Sequence, residues 1–394
     1  MEKIDILIIG SLAGFDLMFA EYLSRNGLKC RVLRPKNPSN PNNGILSPIS
    51  SINTSYPIEK IIYYENSKEF LNYAKKSRLI LSITGSLIRA LGRYWLCYKF
   101  LNLPPVIHVS TGSDIAELPK KYSIIGIVYR QYLHFVKINC CLPYPYVIKQ
   151  IYSEKIPHIF FMRYPFYLIS ENKMITKSQK ENTIIFFHAS HLDWKVNDPG
   201  KHRHSAKGND RFIRAFAKAV KSGLPAKCII LDRGPDREIA KKLIQDLSVE
   251  CHFIWKPHLS RDELVNEYFN SDVIVDQFDL GGFGGIAIEA MSVEKPVMIY
   301  IERTCARLLY PEDPPVLNCH SEEEIYEQIM KCADRQFLER LGKEAREWVY
   351  KYHNWETCLD QFIFYYTLLT GHQIQDYGWE RNPYKKDKSA GELV

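Results

Sequence analysis

Ser271-Asp-Val-Ile-Val-Asp276-Gln-Phe-Asp279-Leu-Gly281-Gly-Phe-Gly284-Gly-Ile-Ala-Ile-Glu289-Ala-Met-Ser-Val-Glu-Lys-Pro296-Val-Met298 is the most informative stretch of this 394-residue chain. A short apolar run at 273–276 reads as a buried strand, and the glycines after it form a turn. Residues 285–292 then read as a helix, and 296–301 as the next strand. Glycines let a backbone approach a ligand closely. The helix start offers unpaired N–H groups and the positive end of a dipole, which suit a diphosphate. Glu289, about one turn into the helix, can accept hydrogen bonds from ribose hydroxyls, the logic of dinucleotide folds.

The same alternation extends in both directions. Upstream, 183–187, 227–231 and 252–255 read as strands, and 210–222, 236–247 and 260–269 as helices, the last capped by Ser260. An earlier α/β series opens the chain. It has strands at 4–9, 30–33, 79–83 and 105–109, and a helix at 15–26. Between the two series, 170–182 is polar and without periodicity. This predicts a first domain over 1–168, a linker at 169–182 and a second domain over 183–350. Residues 351–394 form a helix and tail, and helical spacing over 339–369 predicts packing back toward the first domain. The fold class expected is α/β, two Rossmann-like doubly wound domains facing a central cleft.

Composition narrows the class. With 46% hydrophobic and 25% charged residues the chain has the make-up of a soluble globular protein. Residues 1–170 hold 21 Lys and Arg against 10 Asp and Glu, and the rest 31 against 35. The basic first half suits an anionic surface or ligand. The ten cysteines form no Cys-x-x-Cys pair and mostly sit in apolar runs, as expected of free buried thiols in a reducing compartment. The first residues read as a strand and not a leader, and no stretch has 18 uncharged apolar residues. The expected place is the cytoplasm, with the inner face of the cytoplasmic membrane allowed. Two stretches, 89–101 and 120–137, interleave basic and aromatic residues, which fits an interfacial helix in peripheral contact with an anionic membrane and fits core helices with snorkelling lysines equally well. No nucleic-acid-binding motif is present.

The 271–298 stretch resembles the donor-site signature of retaining family-4 (group 1) GT-B glycosyltransferases. Asp272, Gly282, Phe283, Gly284, Glu289, Ala290, Met291, Lys295, Pro296 and Val297 match it in register. The resemblance implies a nucleotide-sugar donor, a hexosyl-transferring reaction with retention, and no cofactor or metal. It also implies a glycan or polyprenyl-linked acceptor of surface polysaccharide biosynthesis. Glu289 would take the ribose, and Gly284 and Gly285 would present backbone to the diphosphate. Lys207, with Arg203 or Lys201 before it, would clamp the diphosphate. The family's first glutamate, near the donor sugar's hydroxyls, falls on Gly281, so Asp279 or Asp276-Gln277 would substitute. In the first domain, the Gly10–Gly14 turn and the strand end with Thr111 and Asp114 resemble the family's cleft loops. His108 reads as a packed core residue. No catalytic base is identified, which fits a mechanism in which the donor phosphate accepts the acceptor's proton. His188, His191, His202 and His204 lack the spacing of a zinc site. Two rival readings are a non-catalytic nucleotide-sugar-binding partner subunit and a GT-B sugar-nucleotide epimerase.

Overall fold

The computed structural model describes residues 3–11, 14–36, 56–110, 112–116, 123–164, 166, 168–169, 182–195 and 206–372. The chain divides into two compact units: 1–142 with 150–162 and 355–394, and 143–149 with 163–354. These borders differ from the expected 1–168 and 183–350. Residues 143–149 and 163–168 group with the second unit, and the C-terminal part with the first.

The first unit is built on a parallel sheet of seven strands: β1 Ile4–Ile9, β2 Cys30–Pro35, β3 Ile61–Tyr64, β4 Ser77–Ile83, β5 Val106–Val109, β6 Ile138–Cys141 and β7 Ile159–Phe161. Their order is β3-β2-β1-β4-β5-β6-β7. All six residues of β1 are buried, so both faces of the sheet are covered, as a parallel sheet requires. Helix Phe15–Arg25 starts at Gly14, whose positive φ of 81° suits a residue without Cβ. Its Phe19 meets Phe362 of helix Trp355–Thr370 at 5.8 Å, and Tyr22 stacks on Trp355 at 6.0 Å.

The second unit has six parallel strands: β8 Ile184–His188, β9 Ala226–Leu231, β10 Phe253–Lys256, β11 Val273–Val275, β12 Val297–Ile299 and β13 Leu317–Asn318. Their order is β10-β9-β8-β11-β12-β13. Successive residues of a strand face opposite sides. Phe186 therefore enters one core with Phe212, Phe216 and Phe278, while Phe187 enters another with Tyr268, Phe283 and Trp348. Ser260 and Glu263 form the expected capping box of helix Arg261–Asn270. Helix Arg335–Tyr352 lies so close to the 294 backbone that a Cβ on Gly342 would sit 2.1 Å from the Glu294 carbonyl oxygen.

The single helix expected over 339–369 is two. Helix Arg335–Tyr352 ends at His353, which leaves helical φ/ψ, and helix Trp355–Thr370 starts afresh on the first unit. All ten cysteines are free; eight are buried, but Cys97 and Cys251 are exposed. Cys251 belongs to a short 3-10 turn before β10 and not to the strand itself, which explains its exposure.

Candidate functional site

In the second sheet the strand order reverses between β8 and β11, the first and fourth strands of the unit. In open parallel sheets the crevice at the carboxyl ends of such a strand pair is where ligands bind. Ala189, Ser190 and His191 follow β8 there, and Asp276 follows β11. The two loops are stitched together: Ser190 Oγ donates to the Asp276 carbonyl at 2.6 Å, and Ala189 N to the Val275 carbonyl at 3.2 Å. Buried Asn209, at the start of helix Asn209–Lys221, donates to Ser190 Oγ and to His188 Nε2, both at 3.0 Å.

Charge collects at this point. Lys207 is pinned by its backbone, its N–H on the Asp193 carbonyl and its carbonyl taking the Phe278 N–H at 2.7 Å. Burial lowers the Lys207 pKa, opposed by Asp276 and Asp193. Arg233 donates to the Ala189 carbonyl at 3.0 Å, and burial lowers its pKa too, opposed by Tyr268 and Asp276. His191 is exposed at its surface, and its pKa is lowered by partial desolvation and by Arg233 and Lys207. Burial raises the Asp276 pKa, with Lys207 and then Arg233 opposing. Two cations thus act on one buried carboxylate, an arrangement suited to holding an anionic ligand.

The glycine-rich turn follows directly. Buried Gln277 braces it, its Nε2 donating to the Gly282 carbonyl at 2.9 Å and its Oε1 accepting from Asp279 N at 2.9 Å and Leu280 N at 2.6 Å. Gly281 has φ +72°, and Gly282 is packed against Tyr144, where a Cβ would come within 2.3 Å of the ring. Tyr144 Oη donates to the Phe283 carbonyl at 2.6 Å. Gly284, in extended conformation, precedes helix Gly285–Ser292, whose bounds are those expected. Glu289 is buried one turn along. Arg261 Nη1 donates to its Oε1 at 2.8 Å, and Tyr268 Oη reaches its Oε2 at 3.4 Å. Burial raises the Glu289 pKa and Arg261 opposes that. A Cβ on Gly285 would stand 4.0 Å from Glu289 Oε1, so the carboxylate lies beside the helix start.

Among the expected residues, Lys207, Gly281, Gly284, Gly285 and Glu289 fall on this one side of the second unit. Lys201 and Arg203 lie outside the described residues, as do His202 and His204. Asp279 has a partner of its own, pairing with Arg211, which also donates to the carbonyls of His320 at 2.7 Å and Phe278 at 3.1 Å. Gln277, expected with Asp276 as a substitute for the family's first glutamate, braces the turn. Arg233, Arg261 and Tyr144 were not anticipated. Of these only Arg233 had a signal, the Asp232-Arg-Gly234-Pro235 turn after a strand.

In the first unit two expectations change. Asp114 is not presented to a ligand. It is buried, with Oδ2 on His108 Nε2 at 2.8 Å and Oδ1 accepting from Ser110 Oγ at 2.6 Å and Gly112 N at 3.2 Å. Burial raises its pKa, but His108 and Ser110 outweigh that and the net shift is down. Gly10 serves packing, since a Cβ there would overlap Ser86 Oγ at 2.0 Å; Gly14 caps its helix. Thr111 lies outside the described residues. Among the described residues no three His, Cys, Asp or Glu are grouped to hold a metal ion, and no helix is long and apolar enough to cross a membrane.

Residues 201–348 match the family model for "Glycosyl transferases group 1". No curated protein sequence matches the chain. A glycosyltransferase from Rickettsia africae ESF-5 is similar in structure, with a TM-score of 0.65 at 16% identity over 95% of this chain and 100% of that one. Anabaena Alr3699/HepE in complex with UDP-glucose gives 0.60 at 11% identity, covering 93% and 100%. Sucrose-phosphate synthase from Thermosynechococcus elongatus gives 0.59 at 15%, covering 94% and 100%. The second unit therefore carries a group 1 glycosyltransferase domain, on a fold of two Rossmann-like parallel-sheet units as in GT-B glycosyltransferases, and the enzyme class is glycosyltransferase.

Proposed function

We propose that this glycosyltransferase transfers a hexose, with retention, from a nucleotide-sugar donor bound in its second unit to a glycan or polyprenyl-linked acceptor. The observation that carries this reading is the placing of Lys207, Arg233 and the Gly285–Ser292 helix start at the end of one switch-point strand pair, with buried Glu289 beside them. Glu289 takes the ribose hydroxyls. Lys207, with Arg203 or Lys201 from the preceding loop, neutralises the phosphate oxygen that gains charge as the sugar leaves. That oxygen then accepts the acceptor's proton, so the step uses no side-chain base and no metal. A UDP-sugar is the first donor to test, because the structurally similar HepE was solved with UDP-glucose.

The acceptor belongs to the first unit in this reading. Leu96, Phe100, Ile124, Ile125 and Ile127 of that unit are exposed. The described residues at 86–100 and 123–137 include Arg89, Arg93, Lys99, Arg130 and Lys137 and no acid. This surface suits peripheral contact with an anionic bilayer from the cytoplasmic side, where lipid-linked precursors of surface polysaccharides reside.

The test is release of nucleoside diphosphate from a panel of UDP-, GDP- and ADP-sugars, with and without a polyprenyl-linked acceptor. Turnover lost in Glu289→Ala supports the reading, and the anomeric configuration of the product tests retention. Binding of donor without turnover under every condition would favour a non-catalytic partner subunit.

A further inference from the structure

We infer that Asp276 supplies the carboxylate that grips the donor's sugar hydroxyls, the role for which the family signature has a glutamate where this chain has Gly281. This rests on the donor-site reading above and adds to it a residue-level account of how the sugar is held.

A side chain at position 281 would be strained and tightly packed. The φ there is +72°, and a Cβ would lie 3.1 Å from both Glu302 Cβ and the Pro145 ring. Two other acids of the turn are engaged. Asp279 pairs with Arg211. Glu302 accepts from Tyr300 Oη at 2.6 Å and from Thr304 N at 3.3 Å.

Asp276 differs from both. Its backbone is held on two sides, its N–H on the Met298 carbonyl at 3.0 Å and its carbonyl by Ser190 Oγ at 2.6 Å. The residue is 4% exposed, yet its Oδ2 accepts no hydrogen bond from any described residue. That oxygen is aimed at the turn, since a Cβ on Gly284 would stand 3.4 Å from it. A buried carboxylate oxygen without a donor is costly, and native structures rarely leave one so. The missing partner must be a donor. A diphosphate offers only acceptors and repels a carboxylate. Glu289 takes the ribose. At the phosphate end of the ligand, beside Lys207 and Arg233, the remaining donor groups of a nucleotide sugar are the sugar's hydroxyls. The two cations oppose the effect of burial on Asp276 and so favour its anionic form, the stronger acceptor.

The experiment compares wild type with Asp276→Asn, which keeps the shape and removes the charge. Asp276→Ala serves as a second variant, and thermal melting establishes that each is folded. Two quantities are read: kcat/KM with the nucleotide sugar the wild type uses, and Kd for the free nucleoside diphosphate. The expected result is a loss of about 10- to 100-fold in kcat/KM, the size of one hydrogen bond to a charged group. The nucleoside diphosphate should bind within about threefold of wild type, under 1 kcal/mol by the affinity relation. Equal losses in both would make Asp276 only a support for Lys207 and Arg233 and overturn the inference, as would unchanged turnover. Wild-type protein that binds no nucleoside diphosphate would instead sink the donor-site reading itself.

Discussion

Arg261 and Glu289 form a 2.8 Å charge-assisted hydrogen bond that joins the first residue of one helix to the second turn of another. The bond aims the carboxylate and opposes the upward push of burial on its pKa. Replacing Arg261 by Gln removes that opposition, so Glu289 should gain a proton at higher pH. The acid limb of the kcat/KM profile should move up in pH. At neutral pH the donor KM should rise about tenfold, the scale of one such bond. Steady-state kinetics over pH 5–8 check both, and an unmoved acid limb would count against Glu289 as a donor ligand.

Gly342 is required by close packing and not by its dihedrals. A methyl group there would stand 2.1 Å from the backbone oxygen of Glu294, which cannot rotate away. Gly342→Ala should therefore push helix Arg335–Tyr352 off its neighbour and destabilise the fold by about 1–3 kcal/mol, typical of overpacking. A lowered urea midpoint is the measurement. A neutral or stabilising result would show that the two segments separate freely.

Two histidines make the fold acid-sensitive. Burial holds His188 down to about 4 and His353 down to about 3. His353 is used as a neutral ring, donating from Nδ1 to the Tyr164 carbonyl at 3.2 Å and accepting from Tyr310 Oη at 2.8 Å. Unfolded histidine titrates near 6.5, so between that value and the folded ones the unfolded chain binds protons that the native chain refuses. Stability is therefore whole above about pH 6.5 and falls as pH drops toward the folded values, by about 2 kcal/mol per histidine at pH 5. Urea unfolding at pH 7 and pH 5 should show this, and the difference should shrink in His353→Gln.

The exposed aliphatic residues of the first unit make a separate expectation. Leu96 is 90% exposed and Phe100 85%. Leu96→Ser with Phe100→Ser should reduce sedimentation with phosphatidylserine vesicles at least tenfold, since burying two such side chains is worth about 3–6 kcal/mol in full. Turnover of a water-soluble acceptor should be unaffected. Equal vesicle binding by the double variant would remove the membrane role from this surface.

The fold was legible where the apolar pattern was long or punctuated by glycine. The strand, turn and helix at 271–292 were read almost to the residue, because Gly281 to Gly285 mark the turn and 285–292 is apolar but for Glu289 and Ser292. Strands β3, β6, β7 and β13 were not: with two to four residues each they show no period of their own, and β11, just as short, was read from the glycine turn that follows it. Site residues divided by range. Glu289 and Lys207 sit in local patterns, whereas Arg261 reaches Glu289 across 28 positions, a pairing set by helix packing alone. Asp114 misled for the opposite reason: the same Ser-Thr-Gly-Ser-Asp run serves equally to face a ligand or to hold an internal histidine, and His108 decides it.

The segments of the two units have a consequence for how the chain comes off the ribosome. The second unit is complete at Asn354, while the first still lacks the helix Trp355–Thr370 that covers Phe19 and Tyr22. The half synthesised first is thus the half finished last. Until residue 370 has been translated, helix Phe15–Arg25 of the first unit carries an uncovered apolar strip. Stop codons placed just after Asn354 should therefore yield an N-terminal half prone to aggregate beside a C-terminal half that folds.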